Sequence, residues 1–112
     1  MPTLPFKDSL KAIADRDPDF ANEILEDAIK ALFSGNTDEG RLLLRNYVHA
    51  TIGFPELSRR TGKADKNLMR SLSEKGNPSA SNLFEIIKVC MQTEGVSLDP
   101  HIIATASSEL AL

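Results

Sequence analysis

The sequence predicts an all-α fold, organised around two short helices joined by a tight turn. Three observations predict it. Apolar residues recur at helical spacing along most of the chain, as in Phe20, Ile24, Leu25, Ala28, Ile29, Leu32 and Phe33. Start and stop signals punctuate these runs, Asp17-Pro18 before that one and Ser34-Gly35 after it. In the stretch Gly53–Cys90, two short amphipathic runs flank Thr61-Gly62-Lys63, and Gly62 supplies the tolerance of positive φ that such a turn needs.

The elements follow in order. Thr3 is placed to cap a first helix, with Pro5 just inside it and Phe6, Leu10, Ile13 and Ala14 as its apolar stripe. That helix ends near Arg16, because Pro18 disfavours helical geometry at Asp17. Asp17 is then the expected N-cap of the second helix and Pro18 its first residue. Asp19, Glu23, Glu26 and Asp27 cover the outer face of this helix, either as a solvated surface or as an interface for a basic partner. Asn36, Thr37 or Asp38 caps a third helix running to about Thr51. Burial of Leu43, Leu44, Tyr47 and Val48 would offset the roughly 1 kcal/mol that Gly40 costs it relative to alanine. Arg41 and Arg45 lie one turn apart, within reach of phosphate or simply solvated. A fourth helix spans Phe54 to Thr61 with Pro55 in its first turn.

After the second short run, Gly76-Asn77-Pro78-Ser79 breaks the chain, and Ser79 or Ser81 caps a helix over Ser81–Gln92. Its apolar face is Leu83, Ile86, Ile87 and Cys90, extended by Phe84 and Met91. Beyond Gly95 three readings stand side by side. Val96-Ser97-Leu98 forms a short strand able to pair across a dimer; Asp99-Pro100 starts a last helix bearing Ile102, Ile103, Ala106 and Leu110; or the tail is disordered from about Thr105.

At 112 residues the chain has room for one core, and its parts are expected to form one structural unit. Those parts are an acidic N-terminal helical hairpin over 1–35, a unit over 36–95 holding the tight turn, and a tail over 96–112 that is a candidate dimerisation segment. The net charge of −3 is unevenly spread: residues 1–39 carry four basic and nine acidic side chains, residues 54–76 six basic and three acidic. Positive charge therefore gathers around the turn, and phosphate neutralisation needs only such a local patch. No apolar run approaches the ~20 residues of a membrane helix, and Asp8 and Asp15 close behind Met1 are unlike a secretory leader. A single cysteine forms no internal disulfide, so a cytoplasmic setting is expected, with no membrane partner.

The turn and its two helices have the pattern of a helix-turn-helix, in which the second helix enters the major groove of DNA. Leu57 points inward from the first run and Leu68 and Leu72 from the second, while Ser58 is small where the helices come close. Lys66, Asn67 and Arg70 are left on the free face as candidates for base edges, an amide suited to adenine and a guanidinium to guanine. Met69 is placed to touch a thymine methyl or to be partly packed. Arg59, Thr61, Lys63 and Lys75 are candidates for phosphate. Asp65 either caps the second helix or accepts from a cytosine amino group.

The string TGKADKNLMRSLSEKGNPSASNLFEIIKV resembles the DNA-binding domain of Xre/Cro-type repressors. More narrowly it resembles the addiction-module antidote, or HigA-like antitoxin, branch, in which a Leu-rich recognition helix runs into a Leu-Ser-x-x-Gly-Asn-Pro turn, here Leu72 to Pro78. The resemblance covers about the C-terminal two-thirds of the chain. Ala64 and Asp65 depart from it, standing where the family more often has small polar and basic or amide residues. It implies a lambda repressor-like five-helix domain that binds double-stranded DNA at a palindromic operator as a homodimer. It also implies autoregulation and a small basic toxin as protein partner.

No catalytic constellation assembles from the sequence, and no cofactor is expected. His49 and His101 lie far apart with no cysteine pair to complete a zinc site, and Cys90 falls on an apolar stripe. The chain is expected not to be an enzyme. The competing reading is a helical protein-binding module that masks a toxin or other partner with little or no DNA binding, supported by the acidic N-terminal region.

Overall fold

A computed structural model of the chain describes residues 6–105, and the side chains from residue 9 onward. It contains six helices: α1 (Phe6–Arg16), α2 (Phe20–Phe33), α3 (Thr37–Ala50), α4 (Gly53–Thr61), α5 (Asp65–Ser71) and α6 (Ala80–Glu94). Among the described residues there is no strand, and the all-α expectation is borne out. None of these helices is long and apolar enough to cross a membrane.

One core joins α2 through α6. Leu25 and Ala28 of α2 meet Leu44, Tyr47 and Val48 of α3, Phe54 and Leu57 of α4, Leu68 of α5 with Leu72 just after it, and Ile86, Ile87, Val89 and Cys90 of α6. α2 and α3 pack along each other most closely, joined by the short turn at Ser34–Asn36. α1 lies chiefly on α3 and touches α2 little, so α2 pairs with the helix that follows it and not with the one before. Residues 36–95 supply four helices, and the chain beyond Gly95 adds none among the described residues.

At the centre stands Tyr47, with no exposed surface. Its hydroxyl lies 2.7 Å from Glu94 Oε1, to which it donates, and 3.3 Å from the Cys90 carbonyl, fastening α3 to the C-terminal half of α6. Burial raises the phenol pKa above its ordinary value, and the hydrogen bond to Glu94 raises it further. Cys90 beside it is wholly buried, and loss of solvent pushes its thiol up to about 12. It is a core residue, as its place on the stripe predicts.

Several local features differ from expectation. Regular helix in α2 starts at Phe20, because Asp17 and Pro18 form a tighter turn: the Asp17 carboxylate accepts from the Asp19 N–H and its carbonyl from the Phe20 N–H. Phe33 and Phe84, expected on the apolar faces of their helices, are both exposed and line an open groove between α2 and α6. Of the two caps expected for α6, Ser79 is the one used, accepting from the Asn82 N–H. Val96–Leu98 is not a strand and Asp99-Pro100 starts no helix through Thr105; this stretch has no regular structure. Thr3, Pro5, Ala106 and Leu110, with the readings that rest on them, lie outside the described residues.

The two buried acids set a pH dependence. Each has a folded pKa above its ordinary value, about 9 for the thiol and 10 for the phenol, so the fold holds protons that the unfolded chain releases. Stability is expected to be fully present below about pH 9 and to fall as pH rises from there toward 12. Urea unfolding midpoints at neutral and strongly alkaline pH check this, and the Cys90→Ala variant should lose less of its stability across that window. A midpoint indifferent to alkali would contradict it.

Candidate nucleic-acid interface

The residues around Gly62 build a turn whose polar groups are satisfied from within. Gly62 ends α4 in the left-handed region (φ 73°), and its N–H donates to the Ser58 carbonyl at 2.8 Å. The Ser58 hydroxyl donates across the turn to the Lys63 carbonyl. Ser58 is thus more than a small residue at a close approach: it ties the end of the turn to α4. Thr61 Oγ1 donates to the Leu57 carbonyl at 2.9 Å. A phosphate only accepts, so a contact with Thr61 would have to draw that proton away from the Leu57 carbonyl.

α5 follows, only seven residues long. Ala64 holds the N-cap position with extended backbone and makes no side-chain cap bond. Asp65 is consequently the first helical residue and not the cap expected of it. The N-cap must precede the first helical residue, and the methyl group there offers no acceptor. Half-buried at the helix start, Asp65 places its charge on the favourable side of the helix dipole. Leu68 and Leu72 are buried, as expected. Lys66, Asn67, Met69 and Arg70 are all exposed and form the outer face of the helix.

The flanking cations differ in their engagements. Arg59 forms a two-point pair with Glu56 one turn earlier, through Nε at 2.9 Å and through Nη2. That hydrogen bond holds the Glu56 carboxyl below its usual range and raises the Arg59 guanidinium. Lys63 Nζ lies 3.2 Å from Glu85 Oε1 on α6. Arg60, not among the expected contacts, donates to Thr93 Oγ1 at 2.9 Å and also reaches α6. Lys75 is exposed. Exposed pairs of this kind contribute about 0–1 kcal/mol each, so exchanging a carboxylate for a phosphate costs little.

Arg41 corrects the expectation of a phosphate contact or a solvated side chain. It is buried, its Nη2 donating to Asp38 Oδ1 at 2.7 Å and to the Glu74 carbonyl at 3.3 Å. Its Nε is enclosed with no hydrogen-bond partner among the described residues. Arg41 thereby ties α3 to the chain just after α5. Spacing held the clue, because Arg41 stands three and seven residues before the buried Leu44 and Val48. Lys11 was also missed. With His49, Phe54, Pro55, Asp65 and Met69 it lines a hollow of about 480 Å³, which brings α1 beside the start of α5. The His49 ring packs edge-on against Phe54, with ring centres 5.1 Å apart.

Compared with protein-family models, curated proteins and solved structures, the chain matches none. Functional assignment therefore rests on the site itself.

Two glycines frame α5 and set a stability test. An alanine at Gly62 must adopt positive φ, at a cost of about 1–2 kcal/mol. At Gly76 a Cβ would fall inside contact distance of the Ser71 and Arg70 carbonyl oxygens, which are backbone and cannot rotate away. Gly76→Ala is expected to lower the urea midpoint more than Gly62→Ala does. The reverse order would show that the chain after α5 can move aside.

Proposed function

We propose that this chain is a sequence-specific, DNA-binding transcriptional regulator, an autoregulating antitoxin of a cytoplasmic toxin–antitoxin module. The observation that carries the reading is the outer face of α5: Lys66, Asn67 and Arg70 stand together in solvent on a helix held from behind by Leu68 and Leu72. Side chains of these types hydrogen-bond base edges, and a short helix backed by a core presents them at the scale of the major groove. In this reading α4–turn–α5 is a helix-turn-helix and α3–α6 form the body of a lambda repressor-like domain. Arg59, Thr61, Lys63 and Lys75 position the helix on phosphates, Met69 meets a thymine methyl, and Asp65 accepts from a cytosine amino group. The similarity to Xre/Cro-type and HigA-like sequences adds support. The chain acts by binding and not by catalysis, without a cofactor.

One seven-residue helix reads few base pairs, so the regulator works as a homodimer on a palindromic operator, its half-sites about 34 Å apart. A small basic toxin is the proposed protein partner. Its place is the outer face of α2, where Glu23, Glu26 and Asp27 are exposed on the side away from the core. If DNA binding were absent, that acidic face would carry the alternative reading, a module that masks a protein partner.

Fluorescence anisotropy with DNA from upstream of the protein's own gene tests the proposal, with a random duplex as control. Binding to the native DNA is expected to be far tighter and to weaken steeply with salt. Arg70→Ala should cost about 1–3 kcal/mol on the native DNA and little on the random duplex. Lys75→Ala should weaken both alike and lower the salt slope by about 1. Equal, weak binding of the parent protein to both duplexes would move the assignment to the protein-binding module.

A further inference from the structure

Among the described residues, the most exposed aromatic side chains gather in one place. Phe33, the last residue of α2, is 72% exposed, and Phe84, near the start of α6, is 57% exposed. Both line a groove of about 370 Å³ between α2 and α6, together with Leu32, Leu83, Ile87 and, from the segment after α6, Leu98. Single exposed hydrophobic residues are ordinary; two phenylalanines turned outward at one apolar groove mark a surface that is covered in use.

The same chain carries an apolar segment that covers nothing. After Leu98 it runs without regular structure, and Ile102 and Ile103 stand in solvent, Ile103 at 78% and Ile102 completely. Each leaves a large apolar side chain in water, where burial would be favourable. The sequence continues apolar beyond them, with Ala104, Ala106, Leu110, Ala111 and Leu112. Only Asp99-Pro100-His101 separates this segment from Leu98, which already lies in the groove. Four residues span at most about 14 Å, and Pro100 holds Asp99 extended. To fill its own groove the chain would have to double back over Leu98 within that length. Continuing outward, it is free to reach a neighbour.

We propose that two copies of the chain pair by exchanging these segments, Ile102 and Ile103 of each seating in the α2–α6 groove of the other. Groove and segment are on the same chain, so the exchange is reciprocal and closes at two copies. None of the residues lining the groove belongs to α4 or α5, so pairing leaves Lys66, Asn67 and Arg70 uncovered. The inference extends the homodimer of the preceding section by naming its interface, and rests on that section only for the purpose of the pairing.

Light scattering on the full chain at tens of micromolar is expected to give twice the chain mass of 12.3 kDa. The double variant Ile102→Asp/Ile103→Asp and the separate variant Phe84→Asp should both give the single-chain mass with unchanged helical circular dichroism, since all three side chains are exposed. Mixing a Phe84→Cys chain with an Ile103→Cys chain under oxidation should link the two different chains. Cys90, fully buried, does not compete. A monomeric parent protein overturns the proposal, as does a dimer that survives the double aspartate variant. So does a double cysteine variant, Phe84→Cys/Ile103→Cys, that links only within one chain. DNA binding is read separately: a dimer indifferent to operator DNA would remove the regulator reading and leave this interface standing. A monomer that still recognised the operator would do the opposite.

Discussion

A helix of seven residues cannot hold its own shape in water, and α5 is that short. Its existence and its direction depend on the burial of Leu68 and Leu72 in a core shared with Leu57, Tyr47 and Ile86. The rest of the molecule serves that burial. α3 and α6 are fastened to each other by the Tyr47 hydroxyl, so the surface beneath α5 is a fixed one. Arg41 anchors the chain on the far side of α5, and the Ser58 and Gly62 bonds anchor the near side. A side chain on the outer face of α5 is therefore positioned by contacts on the opposite face.

The same arrangement explains the polar dress of the turn. Arg59, Arg60 and Lys63 gather on one surface, where three cations repel one another. Glu56, Thr93 and Glu85 meet them one by one, two of these partners being on α6. The pairs orient the long side chains without locking them, because all of them remain in contact with solvent. Net negative charge on the whole chain and a cationic surface at the turn are thus compatible, because nine of the sixteen acidic residues fall within residues 1–39.

Much of the fold was legible because helical periodicity and glycine chemistry are local. Leu57, Leu68 and Leu72 were readable as inward, Lys66, Asn67 and Arg70 as outward, and Gly62 as the turn. What escaped depended on neighbours. Periodicity identifies Phe33 and Phe84 as apolar stripe residues, yet whether another helix covers them is a tertiary fact. Arg41 shared a stripe with Leu44 and Val48, and its charge masked the message of its spacing. Asp65 missed the capping position by one residue, an error that sequence cannot resolve when Ala64 is free to adopt extended backbone. Past Gly95 the local signals conflict, and the described chain there follows none of the regular patterns they suggest.

Cys90 sits where three of these relationships meet, beneath the Tyr47 hydroxyl, behind α5 and on the inner face of α6. A thiol with no exposed surface and little tendency to ionise is shielded from alkylating reagents as long as the core is shut. It becomes reactive only when α6 parts from α3, whether by full unfolding or by a local opening. The protein thus carries its own single-site label for opening of the core. The rate at which that one sulfur is modified times the detachment of the platform on which the exposed face of α5 depends.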